Sequence, residues 1–207
     1  MNFGRAFFPL AALLLYSTAS AQVIDFESGG LKFKTLTRNG VTVMFASLPT
    51  QVRDYAILQV AVSNGSKIPW TIKPEDFRFE RGDGQVFSGV PAREVVQTLI
   101  EHGGRNDVIK LVNAYEASVF GNTRMRSTNG YESRRQAAHA EVGSNKLKAA
   151  AAASAIALVP TKLKPGESTD GAVFYSTGGR PLGAGRLYAN IAGERFEFDV
   201  ESISISR

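Results

Sequence analysis

From Leu31 to Phe87, apolar and polar residues mostly alternate with a period of two, the pattern of half-buried strands. Leu31, Phe33 and Thr35 alternate with Lys32 and Lys34; after Asn39-Gly40 the alternation resumes at Val41, Val43 and Phe45. Asn-Gly accepts the positive φ that a two-residue turn requires, so a hairpin is expected there. Further on, Ala56, Leu58, Val60 and Val62 form a purely apolar face and should meet the core. Tyr55, Ile57, Gln59, Ala61 and Ser63 point the other way. Ser63-Asn64-Gly65-Ser66 reads as a turn. Pro69 and Pro74 mark an edge or a bulge, because proline cannot donate to a ladder. Phe77 and Phe79 alternate with Arg78 and Glu80 up to a second hairpin marker, Asp83-Gly84.

The period changes between Pro91 and Pro160. Val95, Val96, Leu99 and Ile100 recur at three and four residues, which predicts a helix over 92–102 with Pro91 in its first turn and Gly103-Gly104 at its end. A second helix is expected from Asp107 to Gly121, with Val108, Leu111, Val112, Tyr115 and Val119 on one side. A third helical stretch is expected over 131–158, broken at Gly143-Ser144, alanine-dense in its second half and ended by Pro160. Alternation then returns. Leu163-Lys164-Pro165-Gly166-Glu167 is a turn leading into a strand from Gly171 to Ser176. Leu187, Ala189 and Ile191 make another strand, and Phe196, Phe198 and Val200, with Ile203 and Ile205, close the pattern. The pairs Gly178-Gly179 and Gly183-Ala184-Gly185 read as hairpin connections. Neither β block has enough strands to bury a core alone. The expected fold class is therefore mainly β with an α insertion. An antiparallel β-sandwich over 22–90 and 160–207 is interrupted by a helical subdomain over 91–159.

Residues 1–21 read as a secretory signal peptide. Arg5 gives a positive start, Phe7 to Tyr16 an apolar run, and Ala19-Ser20-Ala21 a small-residue cleavage pattern. That run falls short of the roughly 20 residues needed to span a bilayer, so an exported protein is expected, periplasmic or extracellular. The chain has no cysteine, which excludes disulfides, thiolate nucleophiles, zinc–thiolate sites and lipid attachment through cysteine. Its stability must come from packing. With 24 basic against 19 acidic residues, the chain is basic at +5.

The blocks Val60 to Ser66, Ile68 to Phe77 with Asp83-Gly84, and Leu163 to Glu167 followed by Gly171 to Phe174 carry a resemblance. They are similar to the immunoglobulin-like sandwich domains of bacterial secreted proteins and lipoproteins, many of unknown function. That resemblance implies an immunoglobulin-like sandwich and an exported location. It implies no catalytic residues, and the helical insertion departs from it.

Candidate chemistry is sparse. His102 and His139 are the only histidines, and neither has metal-ligand spacing to carboxylates such as Glu101 or Glu141, so no metal site and no cofactor are expected. Ser168 lacks the second glycine of a nucleophile elbow and reads as a turn residue. Glu75 with Asp76, and Glu194 with Glu197, could be nominated as paired carboxylates but read as ordinary turn and strand-face acids. Arg81-Gly82-Asp83 coincides with a hairpin tip, and Asn64-Gly65-Ser66 fits a glycosylation sequon that the turn itself explains. One cluster stands out: Arg124, Arg126, Arg134 and Arg135, four guanidinium groups in twelve residues, suited to phosphate or an acidic polymer. Nucleic acid fits poorly, since only Tyr131 interleaves the arginines and the compartment is wrong. The smooth alanine-rich helix could pack against a second copy or another partner. The expected function is a non-catalytic, exported binding or envelope-accessory module. Its partner, an envelope protein or an acidic polymer, would be recognised through the insertion. The alternative is an envelope hydrolase with its site between insertion and sandwich.

Overall fold

A computed structural model describes residues 22–28, 30–121 and 143–201, the side chains of 115–121 excepted. The strands are β1 (Ile24–Ser28), β2 (Leu31–Arg38), β3 (Val41–Val52), β4 (Tyr55–Asn64), β5 (Trp70–Ile72), β6 (Phe77–Arg81) and β7 (Val86–Ser88). Three helices follow, α1 (Ala92–His102), α2 (Arg105–Gly121) and α3 (Asn145–Ile156). The last strands are β8 (Thr161–Leu163), β9 (Ser168–Ser176), β10 (Gly185–Ile191) and β11 (Glu194–Val200). The described protein is mainly β, and its strands pair antiparallel in three sheets: β1-β2-β3-β4-β9, β11-β10-β6-β7, and the small pair β5-β8. Strands before the helices thus pair with strands after them, β4 with β9 and β6 with β10.

The β2–β3 hairpin forms as its turn chemistry dictates. Arg38 pairs with Val41, and Asn39 and Gly40 take φ of 47° and 79°. Only glycine fits at position 40, because a Cβ there would sit 2.8 Å from the carbonyl oxygen of Gly65. Asn64 is fully buried and organises the neighbouring turn. Its amide donates to the carbonyls of Ile68 and Leu163, and its Oδ1 accepts from the backbone and hydroxyl of Ser66. Those bonds explain the turn and leave no room for a glycan. At Pro74–Asp76 the chain makes one 3-10 turn, with Asp76 accepting from the Lys73 amide at 2.9 Å.

Two cores lie on opposite faces of the five-stranded sheet. One fills the gap to the four-stranded sheet. Val43, Phe45, Leu58, Val60 and Tyr175 meet Phe77, Phe79, Leu187, Phe196 and Phe198, and Trp70 and Leu163 of the small sheet join them. Phe45 and Phe198 meet edge to face at 5.1 Å between centroids. The apolar face of β4 lies in this core, as its alternation predicts. The opposite face of β4 is buried too, because the helices cover it. Phe33, Met44, Tyr55, Ile57 and Phe174 pack on Val95, Leu99, Leu111, Ala149, Ala153 and Ile156.

Several sequence expectations are corrected. The alanines of α3 are consumed inside the protein: Ala149 and Ala153 are fully buried between sheet and neighbouring helices, so they offer no smooth outer face to a partner. α3 ends at Ile156, before Pro160, because the chain then bonds to β9. Leu158 donates to Ala172 at 2.9 Å, an approach that Gly171 permits by having no Cβ. α1, in contrast, keeps its expected bounds of 92–102, and Gly103 after it has φ of −61° and lies close against Leu99 and Ala149. α2 starts at Arg105, two residues earlier than expected. Ser168 begins β9 and is not a turn residue. The stretch through Gly178-Gly179 and Gly183-Ala184-Gly185 is no hairpin, since it carries the chain from the five-stranded sheet to the four-stranded one.

Candidate binding cleft

An open cleft forms where three segments converge: the β3–β4 turn, the junction of α1 and α2, and the β9–β10 connection. The turn is short, because Val52 pairs directly with Tyr55. It places Arg53 at φ of 52°, a left-handed conformation rare for a side chain of this size. The Arg53 guanidinium reaches the end of α1 and donates to the His102 carbonyl at 2.6 Å. That carbonyl belongs to the last turn, where no intrahelical partner remains. The same nitrogen lies 3.2 Å from Asp107 Oδ2. Asp107 reaches back to accept from the Gly104 amide at 2.9 Å, half of a capping box at the start of α2. Behind the turn, the Asp54 carbonyl accepts from the Thr177 amide at 2.8 Å, which ties in the third segment.

The cleft has a volume of about 640 Å³ and is lined by Gln51, Arg53, Asp54, Arg105, Asp107 and Lys110 among others. Three cations therefore face two carboxylates, and one of those, Asp107, is already paired with Arg53. The first turn of α2 adds partial positive charge at its amide end. Chemically the lining can hold an anionic or amide-bearing group. A smaller, more apolar groove of about 140 Å³ lies where β3 shifts register against β4, between Leu48, Pro49, Leu58 and Leu182.

Arg124, Arg126, Arg134 and Arg135, the arginine cluster expected to bind, lie outside the described residues, as do His139 and Glu141. His102 is exposed, with Nε2 3.6 Å from Glu101 Oε2, and its backbone rather than its ring enters the cleft network. Glu194 accepts from Asn39 at 2.7 Å, while Glu197 faces Arg186 at 3.3 Å. Burial pushes the Asp76 carboxyl up, against the hydrogen bond from Lys73, and Glu75 is exposed. In Arg81-Gly82-Asp83 the arginine folds back onto its own aspartate at 2.7 Å and also bonds Gln85, so the tripeptide is closed on itself. The Arg81 hydrogen bond holds the Asp83 carboxyl below the usual range.

Sequence reasoning missed the cleft. Its available signals were the two-residue step Arg53-Asp54 between strands and the Gly104/Asp107 spacing of a half capping box. No protein-family model, curated protein or solved structure matches the chain.

Proposed function

We propose that the protein is an exported, non-catalytic binding or envelope-accessory module. In this reading an immunoglobulin-like sandwich forms the frame, and the helical insertion over 91–159 carries partner recognition. The observation that supports it best is the cleft at the seam between helices and strands. It is polar, open and bordered by Arg53, Arg105 and Lys110. A partner with carboxylate or phosphate groups fits that charge, and the four arginines at 124, 126, 134 and 135 would extend the same preference across the insertion. Residues 1–21, the proposed signal peptide, would direct the chain out of the cytoplasm.

The test is calorimetric titration of the mature protein with polyglutamate and with polyphosphate. Comparison is with Arg105→Ser/Lys110→Ser and with the variant carrying all four arginines 124, 126, 134 and 135 as serine. The reading expects saturable binding that weakens several-fold in either variant and falls with added salt. Equal binding by all three proteins, or turnover of an ester, phosphoester or glycoside substrate lost on changing His102 or His139, would favour the hydrolase instead.

A further inference from the structure

The chain contains three Asn-Gly pairs; Asn129-Gly130 lies outside the described residues, and the structure treats the other two, both in turns, in opposite ways. Asn64-Gly65 has its asparagine wholly buried, with both ends of the side-chain amide engaged: Nδ2 donates to Ile68 and Leu163, and Oδ1 accepts twice from Ser66. Asn39-Gly40 stands at an exposed hairpin tip. Its amide nitrogen makes one contact, to Glu194 Oε1 at 2.7 Å, and Asn39 Oδ1 accepts no side-chain or turn hydrogen bond among the described residues. Between Asn39 and Gly40 no Cβ shields the following amide nitrogen, which takes no part in the hydrogen bonds described for the turn; the contact to Gly65 uses the Gly40 carbonyl.

We propose that Asn39 is a site of spontaneous deamidation in the folded protein, and that the fold protects the chemically identical Asn64. The reaction needs only water. The Gly40 backbone nitrogen, giving up its proton, attacks Asn39 Cγ. A Cγ–N bond forms, the Cγ–Nδ2 bond breaks, and Nδ2 leaves as ammonia carrying that proton. One water then opens the five-membered imide. Addition at Cγ gives aspartate, and addition at the backbone carbonyl carbon gives isoaspartate, with no change of oxidation state. Either product puts a carboxylate where an amide had donated to Glu194. The bond between the β2–β3 turn and β11 is replaced by like-charge repulsion. The Arg38 contact to the Arg195 carbonyl, at 2.6 Å, is left holding that corner. An ageing clock is thereby built into the place where the two large sheets meet.

Peptide mapping by mass spectrometry tests this. The folded protein is held at mildly alkaline pH and body temperature for weeks, beside a sample unfolded in urea. The expected result is a gain of about one dalton, with paired aspartate and isoaspartate peaks, in the Asn39 but not the Asn64 peptide of the folded sample, and in the Asn39 and Asn64 peptides alike of the unfolded sample. Folded Asn64 converting as fast as Asn39 would overturn the proposal. So would folded Asn39 remaining intact while the unfolded chain converts. The consequence is read separately: Asn39→Asp should lower the melting temperature more in the native background than in Glu194→Gln, where the new charge meets no opposing carboxylate. Equal losses in both backgrounds would remove the repulsion from the account.

Discussion

The two faces of the β1-β2-β3-β4-β9 sheet are buried by different means. Toward the second sheet the partners are large, with Phe77, Phe79, Phe196 and Phe198 all at 1% exposure or less. Toward the helices the partners are small, with Ala149, Ala150 and Ala153 set among a few larger residues. Geometry explains the contrast. Two sheets pack about 10 Å apart, and only long or aromatic side chains from both sides fill that gap. A helix crossing two other helices and a sheet needs short side chains to let backbones approach, and α3 contacts both α1 and α2. One sheet can thus serve two cores if its strands carry apolar residues on both faces, as β4 does along nearly its whole length.

The sharpest break of that comparison is truncation in the aromatic core. Phe198→Ala removes the ring packed on Phe45 and should cost about 3–5 kcal/mol, read as a lowered denaturant midpoint. On the helix side, enlargement rather than truncation should hurt. Ala149→Leu drives a branched chain toward Gly103, where even a Cβ would stand 3.2 Å away, and should cost about 1–3 kcal/mol. The same enlargement on the exposed face of α3, at Ser154, should change the midpoint little.

A smaller effect of opposite sign is expected at Tyr175. Its hydroxyl is buried in the inter-sheet core with no hydrogen-bond partner among the described residues, and desolvation pushes its ionisation up. Tyr175→Phe should raise stability by about 1 kcal/mol, measured by urea titration. The smallest effect is a pH slope. Burial raises the Asp76 carboxyl, so its contribution is full below the ordinary carboxylate range and is lost as pH rises through the raised value. Asp76→Asn should therefore flatten the stability profile on the alkaline side of that range, as seen in melting temperatures across mildly acidic to neutral pH.

The inter-sheet half was the more legible in the sequence. The purely apolar set Ala56, Leu58, Val60 and Val62 in β4, the Asn39-Gly40 turn and the Phe196/Phe198 pair each declare a face or a turn through local chemistry. The helix-facing half was harder. Ile57, Gln59 and Ala61 on β4 do not look like a core face in isolation, and their burial depends on helices about forty residues or more downstream. Alanines likewise do not announce whether they are exposed or tightly packed. The cleft was illegible for the same reason, since Arg53, Lys110 and the β9–β10 connection converge only through tertiary contact. Its local signals are the two-residue step Arg53-Asp54 between strands and the capping geometry of Gly104 and Asp107.

Both cores share one sheet and should therefore unfold together. Trp70, the sole tryptophan, sits in the inter-sheet core, while helical circular dichroism reports α1, α2 and α3. Equilibrium urea unfolding followed by both signals should give a single coincident transition. A helical signal lost at clearly lower urea than the tryptophan signal would show the helices to be a separable layer, and would contradict the shared-sheet core.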